Sequence, residues 1–140
     1  MRLKNIHGKL VYKNVKSKLI DWRGKSRSKI QRKVKLFLKD YWENCIVYEE
    51  FPVYGSRMTV DIFNATKKIA IEVQGKQHNE FNKFFHKNKL NYLYSMERDL
   101  NKKKWLEDND IQLVEVLENE VEGLKESFFY EKYGIKLRKV

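Results

Sequence analysis

The chain has one cysteine, Cys45, and one proline, Pro52, among its 140 residues. A single thiol excludes an intrachain disulfide and any zinc cluster built from thiolates. Beside Ile46 and Val47, Cys45 is expected as a small buried hydrophobe. Long apolar runs are also missing: none approaches the ~18 residues of a membrane span. The opening MRLKNIHGKLVYK is broken by charges and lacks the apolar region of a signal peptide. The expectation is a protein of a reducing, cytoplasmic compartment with no membrane partner. No internal repeat or low-complexity tract is present.

Acids are scarce at one end. Residues 1–35 carry 13 Lys/Arg and a single acid, Asp21, whereas the remaining 105 residues balance to within one charge, for a net charge of +11 overall. A near-neutral body therefore carries a basic N-terminal stretch, and such a stretch most often meets nucleic acid. Tyr12 and Trp22 within it offer rings for stacking on bases. Residues 1–27 are read as a basic arm that could be removed without unfolding the rest, and 28–140 as one domain. With 8 Tyr, 8 Phe and 3 Trp, that domain can build a packed interior.

Helix signals begin at Ser28, a good N-cap, with Gln31 three residues on as in a capping box. Through residue 43, Ile30, Val34, Phe37, Leu38, Tyr41 and Trp42 recur every three or four positions and form one apolar stripe. Lys29, Arg32, Lys33, Lys35 and Lys39 are expected on the opposite, solvated side. Residues 45–52 read as a strand that Pro52 closes. Residues 58–63 and 69–74 alternate as a hairpin around NATKK. Alternation sets Thr59, Asp61 and Phe63 against Val60 and Ile62, and sets Ile69, Ile71 and Val73 against Ala70, Glu72 and Gln74. Phe81, Phe84 and Phe85 are expected over a core edge. A helix is expected over 96–108, with Leu100, Trp105 and Leu106 inward. A strand over 111–117 and a helix over 119–134 follow. The order points to an α/β fold with a mixed sheet.

An acid inside an Ile/Val-rich strand is costly unless it has a partner. Asp61 and Glu72, on the two arms of one hairpin, suit a shared divalent cation bound through hard oxygens. Ordinary surface acids are the alternative reading.

An Asp on one strand, ten intervening residues, then Glu-x-Gln on the next resembles the PD-(D/E)xK nuclease superfamily. Asp61, Glu72 and Gln74 take the family's positions, with Gln in place of the usual Lys. The stretch Glu72-Val73-Gln74-Gly75-Lys76-Gln77-His78, then Arg98-Asp99 with Lys102, then Ile111–Val116, is similar to the branch containing very-short-patch-repair endonucleases. That branch's zinc-site cysteines are absent here, which disfavours mismatch repair of that kind. The resemblance spans about residues 28–117, with Gln31 where many relatives carry Glu.

The resemblance implies a restriction-endonuclease-like mixed β-sheet core flanked by helices. It implies a Mg2+ ion, with Mn2+ as a substitute, held by Asp61, Glu72 and the Val73 carbonyl. Gln74 can position a water but cannot carry charge. The missing positive charge is expected from Lys76 or from Lys102, and His78 is a candidate proton acceptor. DNA contacts are expected from Lys16, Lys18, Arg23, Lys25, Arg27, Lys29, Arg32 and Lys33. The activity implied is a Mg2+-dependent endodeoxyribonuclease, site-specific in the homing manner. Alternatives are a junction-resolving nuclease and a non-catalytic DNA-binding module on a nuclease fold. A double-strand cut from one small site favours a homodimer.

Overall fold

The computed structural model describes residues 1–74 and 89–140. Gly75, Lys76, His78 and the Phe81, Phe84 and Phe85 group lie outside the described residues. Two short strands, β1 (Arg2–Lys4) and β2 (Leu10–Tyr12), pair as an N-terminal hairpin. After one 3-10 turn at Lys16–Lys18 come α1 (Lys29–Trp42), β3 (Val47–Pro52), β4 (Thr59–Asn64) and β5 (Ile69–Gln74). Then follow α2 (Lys89–Asp108), β6 (Gln112–Leu117), α3 (Glu118–Val121) and α4 (Glu126–Tyr133).

β3, β4, β5 and β6 form one mixed sheet in that order. The first three strands run antiparallel, and β6 lies parallel to β5. A parallel neighbour needs a crossover, and α2 lies between the two strands in sequence. The mixed α/β class expected from the sequence is what the chain adopts. The arrangement is consistent with a restriction-endonuclease-like fold.

Two cores line the sheet. Val34, Leu38 and Trp42 of α1 pack with Ile62, Ile71, Val114, Val116 and Phe129. Tyr48, Phe51, Tyr54, Val60, Phe63 and Ala70 pack with Trp105 and Leu106 of α2. Ile69, Ile71 and Val73 share the first core, as their alternation requires. Val60 does not follow the expected pattern, because it joins Phe63 rather than Ile62. The cause lies in β3, where Glu50 sits at φ 52°, in the left-handed region. At the Glu50–Asp61 step the alternation slips in both strands with the register unchanged, so Tyr48 and Phe51 face the same core and Val60, opposite Phe51, goes with them.

Three other expectations change. Leu100 is 61% exposed rather than inward, because α2 meets the body through Trp105 and Leu106 one turn later. The last helix is two helices: the chain breaks at Gly123, where a helical interior position would cost about 1 kcal/mol. Lys35 is not on the solvated side of α1, since it is 0% exposed. Its Nζ is ringed by the carbonyl oxygens of Asp21, Gly24 and Lys25 at 2.9, 3.1 and 3.3 Å and by Glu49 Oε1 at 3.1 Å.

Residues 1–27 are stitched to the body rather than extended from it. The Ile6 N–H donates to the Tyr54 carbonyl, the Tyr54 hydroxyl to the Met1 carbonyl, and Trp105 Nε1 to the Lys4 carbonyl. Val15 is buried in the second core, and Trp22 packs on the first. Deleting this stretch would uncover Tyr54 and Trp105 and strip three of the four oxygens from Lys35. Among the described residues no helix is long and apolar enough to cross a membrane.

Truncating a buried charge leaves its partner uncompensated, at about 3–5 kcal/mol. Lys35→Ala should therefore lower unfolding free energy by that amount in urea titrations. Lys33→Ala, two residues away in an exposed pair with Glu122, should cost less than about 1 kcal/mol. Equal costs for the two would contradict this placement of Lys35.

Candidate functional site

Ser28 caps α1, and its Oγ accepts from the Gln31 N–H at 3.2 Å. The reciprocal half of a capping box is not made. Gln31 is buried, and its Nε2 donates instead to Glu49 Oε2 at 2.9 Å and reaches Glu50 Oε1 at 3.4 Å. The start of α1 is thereby fixed over β3. Beside it lies an open cleft of about 450 Å³. Arg27, Gln31, Asp61, Glu72, Gln74 and Lys102 are among the residues that line it.

Asp61 and Glu72 face each other across β4 and β5, one step beyond the Ile62–Ile71 pair. The Asp61 N–H donates to Glu72 Oε2 at 3.0 Å, and the Val73 N–H donates to Asp61 Oδ2 at 2.8 Å. Each carboxylate is thus aimed by the other strand's backbone. Asp61 is only 9% exposed. Burial first, and then the charge of Glu72, push its carboxyl up to about 7; the Val73 N–H opposes this only in part.

Lys102 of α2 forms an ion pair with Glu72 Oε1. On the next strand, Glu115 stands in register with Glu72. It accepts from Gln74 Nε2 at 2.9 Å and pairs with Lys103 at 3.4 Å, while Lys103 also holds Asp99 at 3.2 Å. On the other side, Glu50 lies across from Asp61, between the Glu49–Ile62 and Phe51–Val60 pairs. The Thr59 hydroxyl donates to it at 2.9 Å. A row of four carboxyls, Glu50, Asp61, Glu72 and Glu115, therefore crosses the sheet.

Of the residues singled out from the sequence, Asp61, Glu72, Val73, Gln74 and Lys102 line one cleft. Lys76 and His78 lie outside the described residues. Lys16, Lys18, Arg23, Lys25, Arg27, Lys29, Arg32 and Lys33 are all exposed, and Arg27 reaches the cleft. Glu49, Glu50 and Glu115 were not anticipated as part of the site. Their only sequence signal was an acid within a strand, the same signal that marked Glu72.

Among the described residues, no group of three or more His, Cys, Asp or Glu is arranged to hold a metal. Two carboxylates with a carbonyl and waters is nevertheless a donor set that Mg2+ accepts, because it keeps several waters and takes further oxygens from a phosphate. Asp61, whose carboxyl is pushed up by burial and by the charge of Glu72, is a group that a hard cation alongside would compensate.

No family model matches the chain, and no solved structure matches it. A 65-residue stretch is 38% identical to "Uncharacterized protein 033L" of Invertebrate iridescent virus 3. The match covers 46% of this chain and 34% of that protein, so the chain spans about a third of its relative's length.

Folded Asp61 keeps its proton to about pH 7, whereas an unfolded aspartate loses it near 3.8. Between those values the folded state binds more protons, so the metal-free protein loses stability as pH rises through the window. The ceiling is about 4 kcal/mol, at about 1.4 kcal/mol per pH unit. Asp61→Asn keeps an acceptor for Val73 and removes the titration. In EDTA its melting temperature should rise relative to the parent between pH 5 and pH 8. A difference that is the same at both pH values would refute the coupled pair.

Proposed function

We propose that this chain is a Mg2+-dependent endodeoxyribonuclease that hydrolyses DNA phosphodiesters. The observation that carries the reading is the Asp61–Glu72 couple, buried at Asp61 and partly buried at Glu72, on paired strands, at the wall of an open cleft edged by cations. Resemblance of the Asp61, Glu72-x-Gln74 pattern to the PD-(D/E)xK nucleases supports it. A homing-type, site-specific enzyme is the favoured form, and a junction-resolving nuclease is the alternative.

Asp61 and Glu72 would hold the ion, with the Val73 carbonyl as a further oxygen. When bound, the ion polarises a phosphate oxygen and acidifies the attacking water. The chain's own groups set the geometry. The Val73 and Asp61 N–H groups fix one oxygen of each carboxylate, so neither has to be ordered when substrate arrives. Gln74 is held by Glu115 through its amide nitrogen, which leaves Oε1 as the acceptor it can offer a water. Lys102 supplies the positive charge that Gln74 lacks. Arg27, at the cleft, and Arg23 and Lys25, on the loop tied to Lys35, are positioned to take backbone phosphates. Cutting both strands from one such centre calls for two copies, and a homodimer on DNA follows.

The test is cleavage of plasmid, single-stranded, branched and RNA substrates in Mg2+, Mn2+ or EDTA. Cutting of DNA in either metal and none in EDTA is expected; EDTA-resistant cutting would refute the mechanism. Asp61→Ala or Glu72→Ala should abolish cleavage while leaving DNA binding within a few-fold of the parent. A variant of either kind that cuts at the parent rate removes that residue from the site.

DNA affinity should fall with salt at a log–log slope of roughly −0.9 per phosphate contact on duplex. Replacing Arg23, Lys25 and Arg27 together by Ala should flatten that slope by roughly 2–3, with the fold intact. An unchanged slope would move the DNA path away from this loop.

A further inference from the structure

Both oxygens of Glu72 are in use. Oε2 accepts from the Asp61 N–H at 3.0 Å, and Oε1 is paired with the Lys102 ammonium. Each oxygen keeps a second lone pair, but the ammonium at Oε1 sets a like charge beside an incoming cation, so the two compete for Glu72. The Asp61 N–H is a backbone group of β4, next to the Ile62–Ile71 pair, and has no side-chain freedom to swing aside. Lys102 can, because its ammonium sits on a flexible four-carbon stem. The helix behind that stem is held one turn later by Trp105 and Leu106, both 1% exposed. Its side chain keeps 19% of its surface open to the cleft, so there is room for the head group to leave. Charge runs the same way, since two carboxylates match one divalent ion and an ammonium left in place would be surplus. Lys103 differs: it is held by both Asp99 and Glu115 and makes no pair with Glu72.

We infer that Lys102 is an exchangeable counter-ion: it holds Glu72 in the metal-free protein, competes with the divalent cation for that carboxylate, and on cation binding is released toward a substrate phosphate. The inference rests on the reading that Asp61 and Glu72 hold such a cation. Lys102 then has two positions with one role in each. It keeps the carboxylate compensated while the site waits, and it becomes a phosphate-directed cation only once the site is loaded.

The experiment is Mn2+ binding to the full chain at pH 8, followed by the spin-resonance signal of free Mn2+. Lys102→Met and Lys102→Gln should each bind Mn2+ about tenfold more tightly than the parent, the equivalent of one partly buried ion pair. Lys102→Arg, which keeps the competing charge, should bind no more tightly than the parent. Lys103→Met, which removes the same charge one position away, should change affinity by less than about threefold. The DNA cleavage rate at saturating Mn2+ should nevertheless fall in Lys102→Met. Unchanged or weaker Mn2+ binding in both Lys102→Met and Lys102→Gln overturns the exchange. So does equal tightening by Lys102→Arg or by Lys103→Met. Mn2+ binding that follows the predicted order, in a protein that cuts no substrate, overturns the nuclease reading and leaves the exchange standing. No Mn2+ binding by any of these chains overturns both.

Discussion

Like charges on neighbouring strands set the terms for the rest of the molecule. Glu50, Asp61, Glu72 and Glu115 occupy one row across β3 to β6, and strand spacing keeps neighbours within about 5 Å of one another. Such a row folds only if each member is compensated. Glu50 has Thr59 and Gln31, Glu72 has Lys102, and Glu115 has Lys103 and Gln74. Asp61, the most buried of the four, receives a single backbone N–H from Val73, and burial and the charge of Glu72 push its carboxyl up. Compensation is thus weakest at the centre of the row, where a cation has the most to offer.

The same logic explains how the basic N-terminal residues come to lie beside the cleft. Glu49 sits next to the acid row and takes three donors: Ser26 at 2.7 Å, Gln31 at 2.9 Å and Lys35 at 3.1 Å. Lys35 in turn gathers the carbonyls of residues 21, 24 and 25. One partly buried carboxylate therefore fixes the start of α1 and the loop that carries Arg23, Lys25 and Arg27. The stretch is basic as a sequence, but its most buried cation works on the fold and its exposed ones face solvent. Clustered positive charge alone does not separate those two uses.

Much of the architecture was legible because it is local. Period-two alternation placed Ile69, Ile71 and Val73 on one core, and the i, i+3, i+4 stripe and Ser28 placed α1. The pairing of Asp61 with Glu72 followed from a hairpin with a short loop. What was not legible depends on contacts far apart in sequence or on one backbone angle. No window around Glu50 signals a positive φ, yet that residue turns Phe51 and Val60 into the second core. Lys35 looks like its exposed neighbours until residues 21–25 and Glu49 surround it. Leu100 fits an inward stripe, but only the end of α2 meets the body. The roles of Lys102 and Lys103 differ although they adjoin, because the helix presents them to different strands.

The central claim is that the Asp61–Glu72 couple is a divalent-cation site, and its two reporting groups are already in place. The N–H groups of Asp61 and Val73 donate directly to the two carboxylates. A Mg2+ titration of the 15N-labelled protein, followed by amide chemical shifts, reads both. The account predicts saturable shifts largest at Asp61, Val73 and their strand neighbours, and abolished in Asp61→Asn. Shifts spread over the exposed acids, with these two amides unmoved at saturating Mg2+, would contradict it.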